Sequence, residues 1–468
     1  MKKLFVILVL LISAITLSSC TQTNIEDLIA LPETDTFEQR IHNKLLEVEA
    51  DDVSLVFALR GQVQNPISFF DLNGDGNDEI IVLYRSYKAH PNSGDTANIH
   101  IFSNNNGVIT SFFDIIGAGS GIDKLSFADF NGDGLSELVV GYVSAYDSST
   151  MLYVYELDFV NKRANNTVSR RYNEFIVSDM DGDGNDDIVS ATYKSLDSVA
   201  YASFFKYDIL EQCVKESSIS ADLSYSRTPY TMIPFTAENG KNAVVITSRY
   251  GTMLMTNEVI VWNDTKNCIE NIAYDPAGRR NPVAYMKTDY CSLGDYIPCD
   301  VDNDGSIEIP LCYFFDEDEA SKALTSWQEA LLFPYVWYSF TGEGLDADFT
   351  SYVNSERDYL WVIRDEAAYT NIKAYMNYNN DLYFYYVSDE NYTYPIFGVD
   401  RRVLLFSIQS STQTPVFDEN NIFLYYSETS GEYYTLVKAD LLERQKPLMP
   451  SDEIIKNSFR PATITVGH

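Results

Sequence analysis

The chain has 468 residues and a formal net charge of -35, with 45% hydrophobic and 14% aromatic residues. So acidic a surface repels nucleic acid and anionic lipid headgroups, while the apolar content is enough for a core and excludes intrinsic disorder. Only four histidines are present, and the six cysteines include no C-x-x-C pair, which disfavours zinc centres and histidine-dependent catalytic triads.

At the N-terminus, Lys2 and Lys3 precede an almost wholly apolar run from Leu4 to Leu17, followed by Ser18-Ser19-Cys20. The run is too short to span a bilayer stably. The arrangement resembles the bacterial lipoprotein signal. That resemblance implies removal of residues 1–19, acylation of Cys20, and a chain held at the outer face of the cell membrane by lipid. An ordinary secretory signal with a chance cysteine is the alternative, and both readings export the chain. Residues 20–61 then read as a tether followed by a helix. Thr21 to Asp35 is polar and acidic with Pro32. After it, Phe37, Ile41, Leu45 and Val48 fall on one helical face, and Thr36 with Gln39 makes a capping-box signature.

Next in chain order comes an internal repeat. Four segments share one pattern: Asp71-Leu-Asn73-Gly-Asp75-Gly-Asn77-Asp-Glu79, Asp129-Phe-Asn131-Gly-Asp133-Gly-Leu135-Ser-Glu137, Asp179-Met-Asp181-Gly-Asp183-Gly-Asn185-Asp-Asp187 and Asp300-Val-Asp302-Asn-Asp304-Gly-Ser306-Ile-Glu308. Oxygen-bearing side chains recur at positions 1, 3, 5 and 9. That spacing wraps a short loop around one hard cation, the carbonyl of position 7 (Asn77, Leu135, Asn185 or Ser306) supplying a further oxygen. Position 6 is always glycine, as a sharp turn of the backbone demands. An EF-hand would close with a glutamate at position 12, but Val82, Val140, Ser190 and Leu311 stand there, and β-rich runs follow instead of a helix. Each loop is therefore expected to join two strands, with position 9 as the closing carboxylate and the apolar position 2 plugging a core. The wider gap between the last two loops holds a degenerate unit, Tyr230 to Thr236 and Asn242 to Ser248, whose connection Ala237 to Lys241 has lost the ligands. In the first unit, strands are expected at Ile67 to Phe70, Glu79 to Tyr84, Ala97 to Phe102 and Val108 to Ile115.

Loops, flanking strands and spacing together resemble FG-GAP or VCBS repeats, the units of the integrin α-subunit propeller. The resemblance covers residues 62–354 and implies a mainly β fold, a calcium-binding β-propeller with about four Ca2+ sites. Five blades can be counted, against seven in the integrin propeller, and Val53 to Arg60 is available to complete an extra one. The fifth unit carries a polar, helix-prone insertion at Asp316 to Leu332. Residues 355–468 are tyrosine-rich. Hairpin signals at Asn379-Asn380 and Ser430-Gly431, a strand at Leu404 to Phe406 and a helix at Asp452 to Phe459 lead us to expect a small α+β domain. Its tyrosines suit cross-strand pairing better than sugar stacking.

Of the cysteines, Cys213, Cys268, Cys291, Cys299 and Cys312 stay unassigned, with a Cys299 to Cys312 bridge left open. His42, His90, His100 and His468 read as surface residues. No catalytic constellation emerges. The expected function is a lipid-anchored, calcium-binding surface propeller acting as a binding or adhesion module for an extracellular protein or glycan, with no nucleic-acid partner. The alternatives are an enzyme acting on extracellular polysaccharide, a lyase or hydrolase, and a calcium-rigidified structural surface component.

Overall fold

The computed structural model describes residues 36–49, 53–61, 63–86, 96–105, 107–194, 199–217, 220–223, 228–237, 239–250, 254–272, 286–287, 297–312, 329–332, 334–342, 344–363, 371–387 and 402–462. They fall into two compact units, one of Met1–Phe57, Asn65–Phe70 and Asn77–Gly117, the other of Ala58–Gln64, Asp71–Gly76 and Ala118–His468. The signal, Cys20, the tether, His90, Glu238, Cys291, His468 and most of the insertion at Asp316 to Leu332 lie outside the described residues, as does the side chain of Cys312.

In the first unit, the helix Phe37–Glu49 covers one face of an antiparallel sheet, here sheet 1. The Thr36 hydroxyl accepts from Gln39 N at 3.2 Å while Gln39 Oε1 accepts from Thr36 N at 3.0 Å, the reciprocal bonds of a capping box. Ile41 and Leu45 are fully buried against Ile80, Val82, Tyr84 and Phe102, and Phe37 stacks on Phe69 at 6.0 Å. Val48 is half exposed, so the apolar stripe narrows toward the helix C-terminus. Sheet 1 comprises Ile67–Phe70, Glu79–Ser86, Ala97–Asn105 and Val108–Ile115 as successive hairpins. Val53–Leu55 extends it by pairing with Tyr84 to Ser86, so this segment completes the first sheet and builds no separate one.

The second unit holds five more antiparallel sheets among the described residues. Sheet 2 runs Gly121–Ala128, Glu137–Val143, Thr150–Asp158, Arg163–Tyr172. Sheet 3 runs Glu174–Ser178, Asp187–Lys194, Val199–Asp208, with Cys213–Glu216 and Ala221–Leu223 sharing the last edge. Sheet 4 repeats that plan with Thr228–Thr236, Asn242–Tyr250, Leu254–Asn263, Cys268–Asn271 and Met286–Lys287. Both faces of each sheet are buried, because apolar residues from successive sheets interdigitate. Leu152 and Val154 of sheet 2 meet Phe175 and Phe205 of sheet 3. Phe204 of sheet 3 meets Trp262 of sheet 4 at 4.9 Å, and Phe235 of sheet 4 meets Phe340 of the next at 5.7 Å.

Sheets 5 and 6 share the chain differently. Sheet 5 is Ile309–Cys312, Tyr335–Phe340, Leu345–Asn354, Tyr359–Ile363 and finally Phe459–Pro461. Sheet 6 takes Glu329–Leu331 from between two strands of sheet 5, then Ile372–Asn377, Leu382–Tyr386, Val403–Ser411, Glu432–Lys438 and Asn421–Ser427. The strands expected to form a separate domain from 355 onward are thus spread over both sheets, and Tyr359–Ile363 crosses that boundary to pair with Leu345–Asn354. Glu329–Leu331, in the stretch expected to be helix-prone, is a strand. The helix Asp452–Ser458 is capped by Ser451, whose side chain accepts from Ile454 N, and delivers Phe459 into the aromatic contact between the two sheets. Among the tyrosines, Tyr359, Tyr375, Tyr385 and Tyr434 are buried, and Tyr426 faces its register partner Tyr433 at 4.6 Å, as cross-strand pairing requires. Tyr378 is exposed in its hairpin.

Candidate metal centres

Three of the acidic segments join the first two strands of sheets 1, 2 and 3, the fourth runs from the isolated bridge Cys299–Glu308 into Ile309–Cys312, and in all four the first aspartate accepts from the N–H of the position-6 glycine. In the loop beginning at Asp129, both carboxylate oxygens of that residue accept backbone N–H groups, from Gly132 at 2.8 Å and Gly134 at 2.9 Å. Asp179 does the same with Gly182 at 2.8 Å and Gly184 at 3.0 Å. Asp300 accepts from Asp304 N and Gly305 N, both at 3.0 Å. These bonds curl the backbone about the first carboxylate, leaving further lone pairs for a cation. Positions 4 and 6 both take the left-handed conformation: φ is +81° at Gly134, +92° at Gly184 and +96° at Gly305, and +61° at Asn303. At position 6 a Cβ would meet nothing within 4 Å, so glycine is required there by conformation and not by space.

The first loop falls partly in each unit. Within Asp71–Gly76, Asp71 accepts from Asp75 N at 3.2 Å and Gly76 N at 2.8 Å, and Asn73 Oδ1 from Asp75 N at 2.9 Å. Asn77 and Glu79 belong to the first unit, where Glu79 opens a strand and is buried. The degenerate connection in sheet 4 closes as a tight turn, Ala237 N bonding Lys241 O at 2.9 Å, with Gly240 at φ +82°.

Position 9 is the buried member of each set. Glu137, Asp187 and Glu308 accept the N–H of the position-2 residue, Phe130 at 3.2 Å, Met180 at 3.1 Å and Val301 at 2.9 Å. Those position-2 side chains, with Leu72, are at most 1% exposed and plug the core beneath the loops. Burial first, then neighbouring carboxylates, push Glu137 up to about 7 and Asp187 and Glu308 to about 8, partly offset by the backbone N–H. In the loop at 300, Glu308 is fully buried with Oε1 lacking a hydrogen-bond partner, and Asp302 Oδ1 is likewise buried without one. Unpaired buried carboxylate oxygens are costly, and oxygens of Asp300, Asp302 and Asp304 lie within 4.8 Å of one another, as do those of Asp179, Asp181 and Asp187. An all-oxygen, multiply charged donor set of this kind fits a hard divalent cation.

Two features escaped sequence reasoning. Lys206 Nζ pairs with Asp181 Oδ2 and approaches Asp183 Oδ2 at 3.8 Å, and Arg460 Nη1 donates to Asp302 Oδ2 at 2.8 Å. Each loop with aspartate at position 3 therefore has a cation on that aspartate. The second is His100, which is not a surface residue but 0% exposed. Cys213 and Cys268 are free thiols raised in pKa chiefly by burial.

The loops also touch in series. Ser136 N donates to Leu72 O at 2.9 Å, Asp186 N to Asp129 O at 3.0 Å, and Asn242 Nδ2 to Asp179 O at 2.5 Å.

Residues 67–140 match the FG-GAP-like repeat family, a stretch that contains both the first and the second loop. No curated protein sequence matches the chain. Solved structures with some likeness include a mannose phosphorylase from Leishmania mexicana in complex with phosphate ion, at 12% identity, 67% of this chain, 92% of that one and a TM-score of 0.24. An exo-β-1,3-galactanase from Phanerochaete chrysosporium stands at 8% identity, 80% of this chain, 82% of that one and 0.24. Such TM-scores carry no argument about fold or activity.

Proposed function

We propose that this FG-GAP-like repeat protein is a calcium-stiffened β-propeller, exported and anchored through a lipid on Cys20, that serves as a binding module for an extracellular protein or glycan. The observation that carries the reading is the recurrence of one donor geometry: a buried carboxylate at position 9, a backbone-clamped aspartate at position 1 and further oxygens at positions 3 and 5. In this reading, Asp71, Asn73, Asp75 and Glu79 hold the first ion with the carbonyl of Asn77, Asp129, Asn131, Asp133 and Glu137 the second with that of Leu135. Asp179, Asp181, Asp183 and Asp187 hold the third with that of Asn185, and Asp300, Asp302, Asp304 and Glu308 the fourth with that of Ser306. The calcium supplies charge neutralisation and crosslinks each loop to the start of its following strand. It does no chemistry on a substrate. Successive sheets buried on both faces suit propeller blades, and loops stiffened by an ion suit a protein whose task is to present a surface.

At free calcium about ten times the dissociation constant, each site adds about 1.4 kcal/mol, or about 6 kcal/mol for four independent sites. That rivals the stability of a whole domain. Chelation is expected to lower the melting temperature by many degrees, with magnesium restoring it poorly because it demands a smaller octahedral shell. A melting curve indifferent to chelator rejects calcium stiffening. For the anchor, the Cys20→Ser protein is expected to lose acylation and detergent partitioning. Ligand capture is tested separately, by presenting a glycan array and extracellular matrix proteins to the calcium-loaded chain.

A further inference from the structure

His100 lies on Ala97–Asn105 directly opposite Asp114 on Val108–Ile115. Glu49, the last residue of the helix, joins them from above the sheet, and one ligand atom from each of the three lies within 4.8 Å of the others. The imidazole is fully buried, packed at 4.2 Å from the Phe102 ring and 6.5 Å from that of Tyr84. Its Nε2 meets the Ser111 hydroxyl at 3.0 Å, which fixes the ring and turns Nδ1 toward the two carboxylates. Nδ1 itself has no hydrogen-bond partner. It stands 3.7 Å from Asp114 Oδ1 and 3.8 Å from Glu49 Oε1. These gaps are too long for hydrogen bonds. Neighbouring ligands around a tetrahedral ion with bonds of about 2.0–2.1 Å stand about 3.4 Å apart, so each carboxylate has a few tenths of an ångström to move toward Nδ1, and no pair in the trio, all within 4.8 Å, has to close by more than about 1.4 Å to share one ion.

We propose that Glu49, His100 and Asp114 form a metal centre of a different kind from the acidic loops, one that takes a borderline divalent transition cation, zinc foremost. A buried imidazole nitrogen is a poor donor for calcium or magnesium, which prefer oxygen throughout, but suits zinc, cobalt or nickel. The two classes of site thus sort two classes of ion in a calcium-rich medium. Asp114 is 39% exposed at its side chain and gives the ion a path from solvent and room for a water as fourth ligand. The Tyr84 hydroxyl donates to Asp114 Oδ1 at 2.8 Å and orients that carboxylate from behind. An ion here ties the C-terminal end of the helix to the two strands beneath it.

The test uses the full mature chain with calcium in large excess. Dialysis against zinc should leave one equivalent bound, and cobalt in its place should show the visible d–d absorption of a low-coordinate nitrogen and oxygen site. His100→Gln should abolish both. Because that residue is buried, Asp114→Asn serves as the folding-neutral variant, expected to weaken zinc binding at least about tenfold, whereas Asp304→Asn should leave it unchanged. Absence of a retained equivalent in the unaltered chain, as a protonated imidazole held between two carboxylates would give, overturns the proposal. So does retention undiminished by Asp114→Asn, which would put the ion on His42, a thiol or a loop.

Discussion

Position 3 of the acidic loops carries either asparagine or aspartate, and what surrounds it differs accordingly. Counting carboxylates alone ranks the loops at 179 and 300, with four each, above those at 71 and 129, with three. Lys206 on Asp181 and Arg460 on Asp302 each return one positive charge and level that difference. We therefore expect Lys206→Met to tighten calcium at its loop by about three- to tenfold, since one unit charge a few ångströms away acts through a half-exposed, partly screened site. The same change should lower the melting temperature of the metal-free chain, because it leaves carboxylates facing one another. Calorimetry with and without chelator reads both, and a variant that binds calcium more weakly would show Lys206 to be a support of the site and not a competitor. Neither partner was legible in the sequence, as Lys206 is 25 residues from Asp181 and Arg460 is 158 from Asp302. The position-9 acids add a pH dependence. In the metal-free fold Asp187 and Glu308 sit near 8 and Glu137 near 7, all above their unfolded values. The folded state thus holds protons that the unfolded state has released, and metal-free stability should fall as pH rises from about 5 to 8. Calcium needs the charged forms, so its affinity should rise across the upper part of that window. Melting curves at pH 6 and 8 should fall with pH in chelator and stay nearly level at saturating calcium, where folded and unfolded chains both carry the ionised carboxylates.

Elements were readable where their own residues decide them. Ile67–Phe70 and Val108–Ile115 have the boundaries expected from apolar alternation between turn residues, and the capping box placed the start of the helix Phe37–Glu49. What alternation cannot say is which side of a strand another element will cover. His100 reads as one more polar residue in a strand, and only the helix laid across sheet 1 makes it a core residue. The sixth sheet was foreseen in its two hairpins and in Leu404 to Phe406, but not in its first strand, Glu329–Leu331, which is three residues taken from a polar stretch. At the other end, Phe459 joins the two last sheets, with ring centroids 5.1 Å from Tyr359 of sheet 5 and 5.9 Å from Tyr434 of sheet 6. Phe459→Ala is expected to cost about 3 kcal/mol in denaturant unfolding, the lower range for a large aromatic. A loss under about 1 kcal/mol would mean that the C-terminal strand adds little to either sheet.

For the whole molecule, the repeat was legible because four copies of an ion-binding loop are far more conspicuous than the strands they connect, and the family match to residues 67–140 rests on that same stretch. The order of strands in the last third was not, since pairing between distant segments leaves no local trace. Sheets 2, 3 and 4 are each built from one continuous stretch of chain, whereas sheet 5 waits for Phe459–Pro461 and sheet 6 borrows a strand from inside sheet 5. A chain made from its N-terminus onward can finish those three sheets one by one as each stretch emerges. Sheet 6 stays open until Asn421–Ser427 and Glu432–Lys438 are made, and sheet 5 keeps an unpaired edge at Tyr359–Ile363 until Phe459–Pro461 follows. That edge of Tyr359–Ile363 is therefore the one left unpaired longest, and it is where a chaperone or a protease would find this protein.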